Sequence, residues 1–412
     1  MTTKTESSSR PGLSTLLKNK IGKLRASTRS KSSPALLKID SNIQESLVTI
    51  VNKKPKQHNK QVKIPHCQQV IDLSVLKGDE FKRSVQLLIS TLFLDWVSPK
   101  SLDQDLSVDR VSGALTNAVF FVTVGRKRML LRVYGAGCDQ ILDRKKELDW
   151  LSRLSELNIG PKLLGIFGNG RFEEYLPSTT LTRSDIREAS VSKQIASRLY
   201  QLHSIVELYP PSTTDKLEVW KNIDQWYLAL STELIPKLLA INHNWKDQIE
   251  NHLNLVKLRN DIELCKIILG KNNSPTVFAH NDTQYGNILK INGTNELVVI
   301  DFEYAGYNPR GFDIVNHFCE WMYDYHSSNP AMLHLDQYPT REQQASFISS
   351  YYSNDVDSLL KEVNDWKMAC HLFWALWGLI QASQSEIDFD YFYYSMQRIT
   401  AFRKELDNRL IS

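Results

Sequence analysis

The chain has 412 residues, 42% hydrophobic and 23% charged, ordinary for a globular protein and ample for two lobes with their own cores. Its five cysteines are scattered with no C-x-x-C pair, no apolar run approaches the ~20 residues of a bilayer span, and the first residues lack the apolar core of a secretory signal. A disulfide scaffold, a zinc site and a transmembrane protein are thereby excluded, and a reducing, cytoplasmic location is expected. The net charge of +4 hides an asymmetry, because residues 1–63 hold 14 Lys and Arg against 3 Asp and Glu. The remainder is acidic, so no nucleic-acid partner is expected for the body.

Residues 1–65 are read as a basic, Ser- and Lys-rich tail, mostly disordered because it has little apolar surface to bury. Arg25-Ala26-Ser27 and Arg29-Ser30-Lys31-Ser32 set hydroxyls beside basic residues, as a basophilic kinase requires. Leu13, Leu16, Leu17, Ile21 and Leu24 recur at helical spacing among lysines. Such a basic amphipathic face suits weak contact with an anionic membrane surface; a solvated tail is the alternative.

Residues 66–177 read as a small β-rich lobe. Helical spacing covers Val70 to Leu94, and strands follow over Ala118 to Val124 and Met129 to Tyr134, joined at Gly125-Arg126-Lys127-Arg128. Between the preceding strand and Ala118 lies Ser112-Gly113-Ala114-Leu115-Thr116-Asn117. It is small and polar, as a loop must be whose backbone N–H groups approach phosphates, although a plain β-turn has the same look. Arg132 interrupts the apolar strand Leu130 to Tyr134, and Glu147, at the start of the next helix, is a candidate partner for it. Gly160-Pro161 ends that helix. Strands over Leu163 to Phe167 and Arg171 to Leu176 then lead to Glu173-Glu174-Tyr175-Leu176-Pro177, where the hinge between lobes is placed.

Residues 178–412 read as a helical lobe, with helices near 184–207, 218–240, 244–269, 313–326, 340–352, 355–384 and 391–409. Within it, Phe278 to Asp324 carries the chemistry. Asp282 lies in His280-Asn281-Asp282-x-x-x-x-Asn287; a tight turn at Asn292-Gly293 and an apolar run, Leu297 to Ile300, lead to Asp301-Phe302-Glu303. A loop carboxylate, an Asn five residues later and a hairpin delivering a second carboxylate form the layout of a phosphoryl-transfer site. One acid takes the proton of an attacking hydroxyl, while Asn287 and Asp301 hold Mg²⁺ on the phosphates. A small β lobe ahead of a large helical one that holds this site is an α+β, protein-kinase-like architecture.

The segment His280 to Asn287 resembles the phosphotransferase motif of the choline/ethanolamine kinases. Ile300 to Tyr304, Asn308 to Ile314 and Asn316 to Trp321 resemble that family's own signature. The likeness extends to Leu131-Arg132-Val133-Tyr134-Gly135, Gly160-Pro161-Lys162-Leu163 and His371 to Trp377, covering about 70–412. It implies a Mg²⁺-dependent enzyme that moves the ATP γ-phosphate to the choline hydroxyl, giving phosphocholine for phosphatidylcholine synthesis, with ethanolamine as the alternative or additional acceptor. It further implies Asp282 as base, Asn287 and Asp301 as metal ligands and Arg132 at the ATP phosphates. Ser112, Gly113, Thr116 and Asn117 would cover those phosphates, Glu174 would lie in the adenine-seating hinge, and Gln284 would border both substrates. Members are commonly dimeric, so a homodimer is an expectation of the same kind.

Choline has full positive charge but no N–H donor, so its pocket needs aromatic faces and a nearby anion. Trp374 and Trp377, three apart in an apolar helical run, can project on one face. By position they match the family's choline-binding residues together with Tyr304, Glu320, Tyr325, Tyr394, Asp282 and Gln284. Core packing of the tryptophans is the bland alternative. Ethanolamine, with three N–H donors, would be served poorly by such a cage. Two other readings remain open: a catalytically silent kinase-like binding protein, which the intact Asp282, Asn287, Asp301 and Arg132 oppose, and an aminoglycoside-type phosphotransferase, which calls for more carboxylates.

Overall fold

Period-two alternation builds the smaller lobe, a five-stranded antiparallel sheet in the order β1-β2-β3-β5-β4. Its strands are β1 (Leu106–Arg110), β2 (Asn117–Val124), β3 (Lys127–Tyr134), β4 (Leu163–Phe167) and β5 (Gly170–Glu174). The computed structural model describes residues 64–93, 102, 105–111, 117–135, 143–352, 354–385 and 387–411. The tail with its Leu13 to Leu24 face, the 112–116 segment, the Asn117 side chain, Trp96 and Cys138 lie outside the described residues.

Met129, Leu131, Val133 and Phe172 share one core with α1 (Gly78–Leu92), whose Val85, Leu88 and Ile89 are fully buried. Alternation therefore turns Arg132 of β3 and Arg171 and Glu173 of β5 to the opposite face. The helix begins later than the spacing from Val70 suggests. Gly78 takes φ +49°, and the Asp72 carboxylate accepts from the Ser74 N–H at 2.8 Å, so a turn replaces the first helical turns. The β2–β3 hairpin is tighter than expected, with Val124 paired to Lys127 across Gly125 and Arg126 and Gly125 at φ +57°.

After α2 (Arg144–Glu156), capped by the Asp143 side chain, β5 leads to β6 (Ser178–Thr180). The large lobe then adds α3 (Ala189–His203), α4 (Glu218–Ala229), α5 (Ile235–Ile241) and α6 (Leu255–Leu269). It continues through β7 (Thr276–Ala279), β8 (Ile288–Ile291), β9 (Leu297–Val299), β10 (Gly306–Pro309), α7 (Arg310–Glu320) and α8 (Arg341–Tyr351), and closes with α9 (Val356–Gln384) and α10 (Tyr391–Ile411). The helix expected over 244–269 is interrupted. A π-helical turn spans Gln248–Leu253, and Asn254, at φ +43°, caps α6 with its side chain.

α9 is the axis of this lobe, with every residue from Met368 to Gln381 buried. α7, α10 and α4 pack around it. Gly378 is required there, since a Cβ would meet the Ser395 hydroxyl and, at 3.0 Å, the Tyr394 ring. Two short sheets, β6-β8-β9 and β10-β7, stand next to this helical mass and carry the loops that hold the acidic residues.

Candidate active site

The loop after β7 is built on Asp313 of α7. Its Oδ1 accepts the Asn281 N–H at 2.7 Å, and its Oδ2 accepts both the His280 N–H at 2.9 Å and His203 Nε2–H at 2.8 Å. Burial alone would raise this carboxyl, but the donors outweigh it and hold it below the usual range. Asn281, at φ +69°, turns the chain sharply, with its side chain fixed between the Tyr304 carbonyl and Asn308. The next residue, Asp282, is thereby aimed out of the loop. His280 accepts the Asp282 N–H on Nδ1 and donates from Nε2 to the Ile300 carbonyl at 2.9 Å, tying the two acidic segments together.

His317, also on α7, supports the far end of the loop. Nδ1–H donates to the Thr283 carbonyl at 2.9 Å and Nε2 accepts from Trp321, so the ring must stay neutral. Burial pushes its pKa down from 6.5 to about 4. The unfolded chain then binds the extra proton, and stability is lost as pH falls from about 6.5 to about 4, by about 3 kcal/mol for this group. Urea denaturation across that window should show His317→Asn, which keeps the donor to Thr283, losing less stability than the parent. Equal losses would contradict the assignment.

Asp282 and Asn287 are in contact. Asn287 Nδ2 donates to the Asp282 carboxylate at 2.7 Å and to its backbone carbonyl at 2.9 Å, leaving the amide oxygen as the atom a cation could use. Burial, reinforced by the charges of Glu320, Asp301 and Glu303, pushes the Asp282 carboxyl well above the ordinary range. Asp301 follows β9 at φ +68°, a left-handed conformation that Asp tolerates better than most residues. The backbone beneath it is fixed by Ile300 N–H donating to the Asn287 carbonyl at 2.9 Å. Phe302 points into the core and lies 2.9 Å from where a Cβ would stand on Gly160, itself at φ +69°. Gly160 thus seats the Asp301 turn, whereas α2 ends earlier than expected, at Glu156, where Asn158 takes φ +55°.

Arg132 reaches that turn from the sheet lobe. Nε donates to Glu173 at 3.1 Å and Nη1 to Asp301 at 3.3 Å. Its partners are therefore these two carboxylates, not Glu147. Glu147 pairs instead with Arg171 at 2.8 Å and Arg144 at 2.9 Å, because β3–β5 pairing sets Arg132 directly opposite Arg171 and each needs its own anion. Glu173 bridges the two arginines. Burial would raise its carboxyl, but they bring it down to about 2. Arg144 lies 3.6 Å from Glu303, closing an alternating chain of charges from sheet to loop.

Oxygens of Glu147, Asp301 and Glu303 come within 4.8 Å of one another, and Asp301 Oδ1 is buried with no hydrogen-bond donor among the described residues. Converging hard oxygens with one unsatisfied lone-pair site fit a small divalent cation. Sequence reasoning had Asp301 and Asn287 and missed Glu303, although its place two residues after Asp301 was visible. Arg171 and Glu173 had no sequence signal, since strand register brings them together.

The expected acceptor residues also meet. Trp374 and Trp377 stand at 80° with centroids 5.2 Å apart, forming a corner. Tyr304 lies edge-on to Trp374 at 5.5 Å, and Tyr391 and Tyr394 lie 5.6 and 6.3 Å from Trp377. Both indole N–H groups are taken, Trp374 by Asn316 Oδ1 at 2.6 Å and Trp377 by the Tyr304 hydroxyl at 2.7 Å. Tyr325 donates its hydroxyl to Glu320 at 2.6 Å. Gln284 folds back, its Oε1 accepting the Gly286 N–H at 2.9 Å, and Glu174 accepts the Lys162 N–H at the end of β5. Tyr323, Phe389, Tyr391 and Arg398 join this cluster without having been anticipated. The other described tryptophans pack elsewhere, Trp226 on Phe373 and Trp150 on Phe278.

A sheet lobe that presents an arginine to a carboxylate, above a loop with a second carboxylate and its asparagine, defines a phosphotransferase of the protein-kinase-like fold. The chain matches the choline/ethanolamine kinase family over residues 108–403. It is 35% identical to probable choline kinase 3 of Arabidopsis thaliana over 344 residues, covering 79% of this chain and 92% of that one. It is 33% identical to the choline kinase of Saccharomyces cerevisiae, covering 79% and 67%. The solved Plasmodium vivax ethanolamine kinase superposes with a TM-score of 0.67 at 26% identity, over 81% of this chain and 93% of that one. The chain belongs to the choline/ethanolamine kinase family and is an ATP-dependent phosphotransferase that acts on an alcohol. Among the described residues, no helix is long and apolar enough to cross a membrane.

Proposed function

We propose that the alcohol is choline, phosphorylated at its hydroxyl at the expense of ATP, with ethanolamine the poorer acceptor. The observation that carries this reading is the acceptor corner: the rings of Trp374, Trp377, Tyr304 and Tyr394 converge there, while the polar atoms around them already bond to one another. A quaternary ammonium binds to faces and to the field of Glu320; a primary ammonium needs acceptors. The names of relatives fall on both sides, with choline and ethanolamine kinases in both Arabidopsis thaliana and Saccharomyces cerevisiae and an ethanolamine kinase in Plasmodium vivax.

In this reading Asp282 orients the acceptor hydroxyl and receives its proton as that oxygen bonds to the γ-phosphorus and the bond from the γ-phosphorus to the bridging oxygen breaks, releasing ADP. The carboxyl's proton affinity, raised by burial and by neighbouring carboxylates, suits it to accept one. Arg132, held by Glu173 and Asp301, turns a donor toward the phosphates. Asp301 and Asn287, with Glu303 beside them, would hold Mg²⁺, which neutralises β- and γ-phosphate charge when bound. Ser112, Gly113, Thr116 and Asn117 as the phosphate cover, Glu174 at the adenine and Gln284 between substrates remain part of the proposal. So do a three-part division at 65 and 177, a cytoplasmic location and a homodimer.

ADP release with ATP, Mg²⁺ and choline, beside a blank without acceptor, tests the function. No release above blank with choline or ethanolamine would end it. Trp377→Ala should raise the choline KM by roughly thirtyfold, the worth of about 2 kcal/mol for a desolvated cation–π contact. The ethanolamine KM should rise less, and equal effects would remove the cage argument.

A further inference from the structure

Behind the aromatic corner lies a guanidinium that the site's proposed chemistry does not call for. Arg398, on α10, is 0% exposed, the setting in which an arginine is retained only with partners. Nη2 donates to Glu320 Oε1 at 3.1 Å and Nε to the Tyr323 hydroxyl at 2.9 Å. Its guanidinium carbon stands 4.7 Å from the Tyr323 ring centroid and 5.1 Å from that of Tyr394.

These contacts change what Glu320 can offer a ligand. One carboxylate oxygen is held by Arg398, the other by the Tyr325 hydroxyl at 2.6 Å. Glu320, the anion beside Tyr325 and Tyr394, therefore comes with both oxygens already bonded and its charge faced by a buried cation. The Tyr304 hydroxyl and Asn316 Oδ1 likewise accept from the two indoles. An ammonium with N–H groups entering here must compete for lone pairs with donors already in place. A trimethylated ammonium has nothing to compete for.

Resting on the acceptor-site reading above, we propose that Arg398 is a specificity-determining positioning residue: by occupying Glu320 and Tyr323 it withdraws hydrogen-bond acceptors from the pocket and biases the enzyme against acceptors that carry N–H groups. Arg398 touches neither acceptor nor phosphate in this role, and acts through Glu320.

The test is steady-state kinetics of parent, Arg398→Met and Arg398→Lys on ethanolamine and its mono-, di- and trimethylated forms, at saturating ATP. The ratio of kcat/KM for choline over ethanolamine is read within one preparation, so a loss of active protein cancels. Arg398→Met should lower that ratio by about tenfold or more, the value of one charge-assisted hydrogen bond, through acceptor KM and with the ATP KM unchanged. The fall should be graded along the methylation series. Arg398→Lys, whose single ammonium cannot bridge both partners, should lower it less; if Arg398→Met does not fold, a shift in the lysine variant decides. An unchanged ratio in the variants that fold overturns the inference, as does a loss equal for all four acceptors, which a merely structural arginine would give. A parent enzyme inactive on all four overturns the reading of the site instead.

Discussion

Asp282→Ala is expected to lower kcat by about 10²–10⁴-fold while leaving the melting temperature unchanged or raised. The first half follows from the proposed role of the carboxylate as proton acceptor, which contributes about 10²–10⁴-fold in general base catalysis. The second follows from its surroundings. Asp282 is held in the folded state against burial and against the charges of Glu320, Asp301 and Glu303, so its removal relieves repulsion. The loop does not depend on its side chain, because Asn287 Nδ2 also bonds the Asp282 carbonyl, and His280 and Asn281 are anchored on Asp313. Calorimetry and ADP release on the same sample separate the two effects. Near-parent turnover would remove Asp282 from the chemistry, and a large drop in melting temperature would mean that it is a structural residue.

Asp313→Asn is expected to do the reverse, destabilising first and inactivating as a consequence. Both Asp313 oxygens accept, one from Asn281 and the other from His280 and His203, and the residue is fully buried. An amide replaces one acceptor by a donor that faces an N–H, leaving buried groups unpaired at a cost of about 3–5 kcal/mol. His203, in turn bonded to the Tyr351 hydroxyl at 2.7 Å, loses the partner that fixes its ring. Because the loop carries Asp282, a displacement near 1 Å would cost about 10²-fold in turnover. Urea denaturation and kcat measured together should both fall. Full stability with lost activity would place Asp313 in the chemistry itself.

The parts of this site that could be read in the chain are those set by short range. Asp282, Asn287 and Asp301 stand at fixed spacing on a loop and a hairpin, so the turn chemistry that positions them is local and visible. Trp374 and Trp377 are likewise one helical turn apart. What stayed hidden depends on tertiary register. Arg132 and Arg171 become partners only through the pairing of β3 with β5, which gives Glu173 to both and moves Glu147 to Arg144 and Arg171. A lone arginine in a helix ordinarily reads as surface, which is why Arg398 went unnoticed. Its place on the stripe of Tyr391, Tyr394 and Phe402, at steps of three and four residues, was the available sign that it points inward. Helix breaks were hidden as well. The π-helical turn over Gln248–Leu253 keeps an apolar pattern that looks continuous, and only Asn254 at φ +43° reveals where α6 restarts.

The central claim is that this site prefers a quaternary ammonium alcohol, and a competition experiment tests it most directly. Equimolar choline and ethanolamine, each below its KM, are incubated with limiting ATP and Mg²⁺, and the products are separated by ³¹P NMR. Phosphocholine in clear excess is the predicted result, since on the proposed reading the rings of Trp374, Trp377 and Tyr304 receive the cation while Glu320 is engaged by Arg398 and Tyr325. Phosphoethanolamine in excess would contradict it.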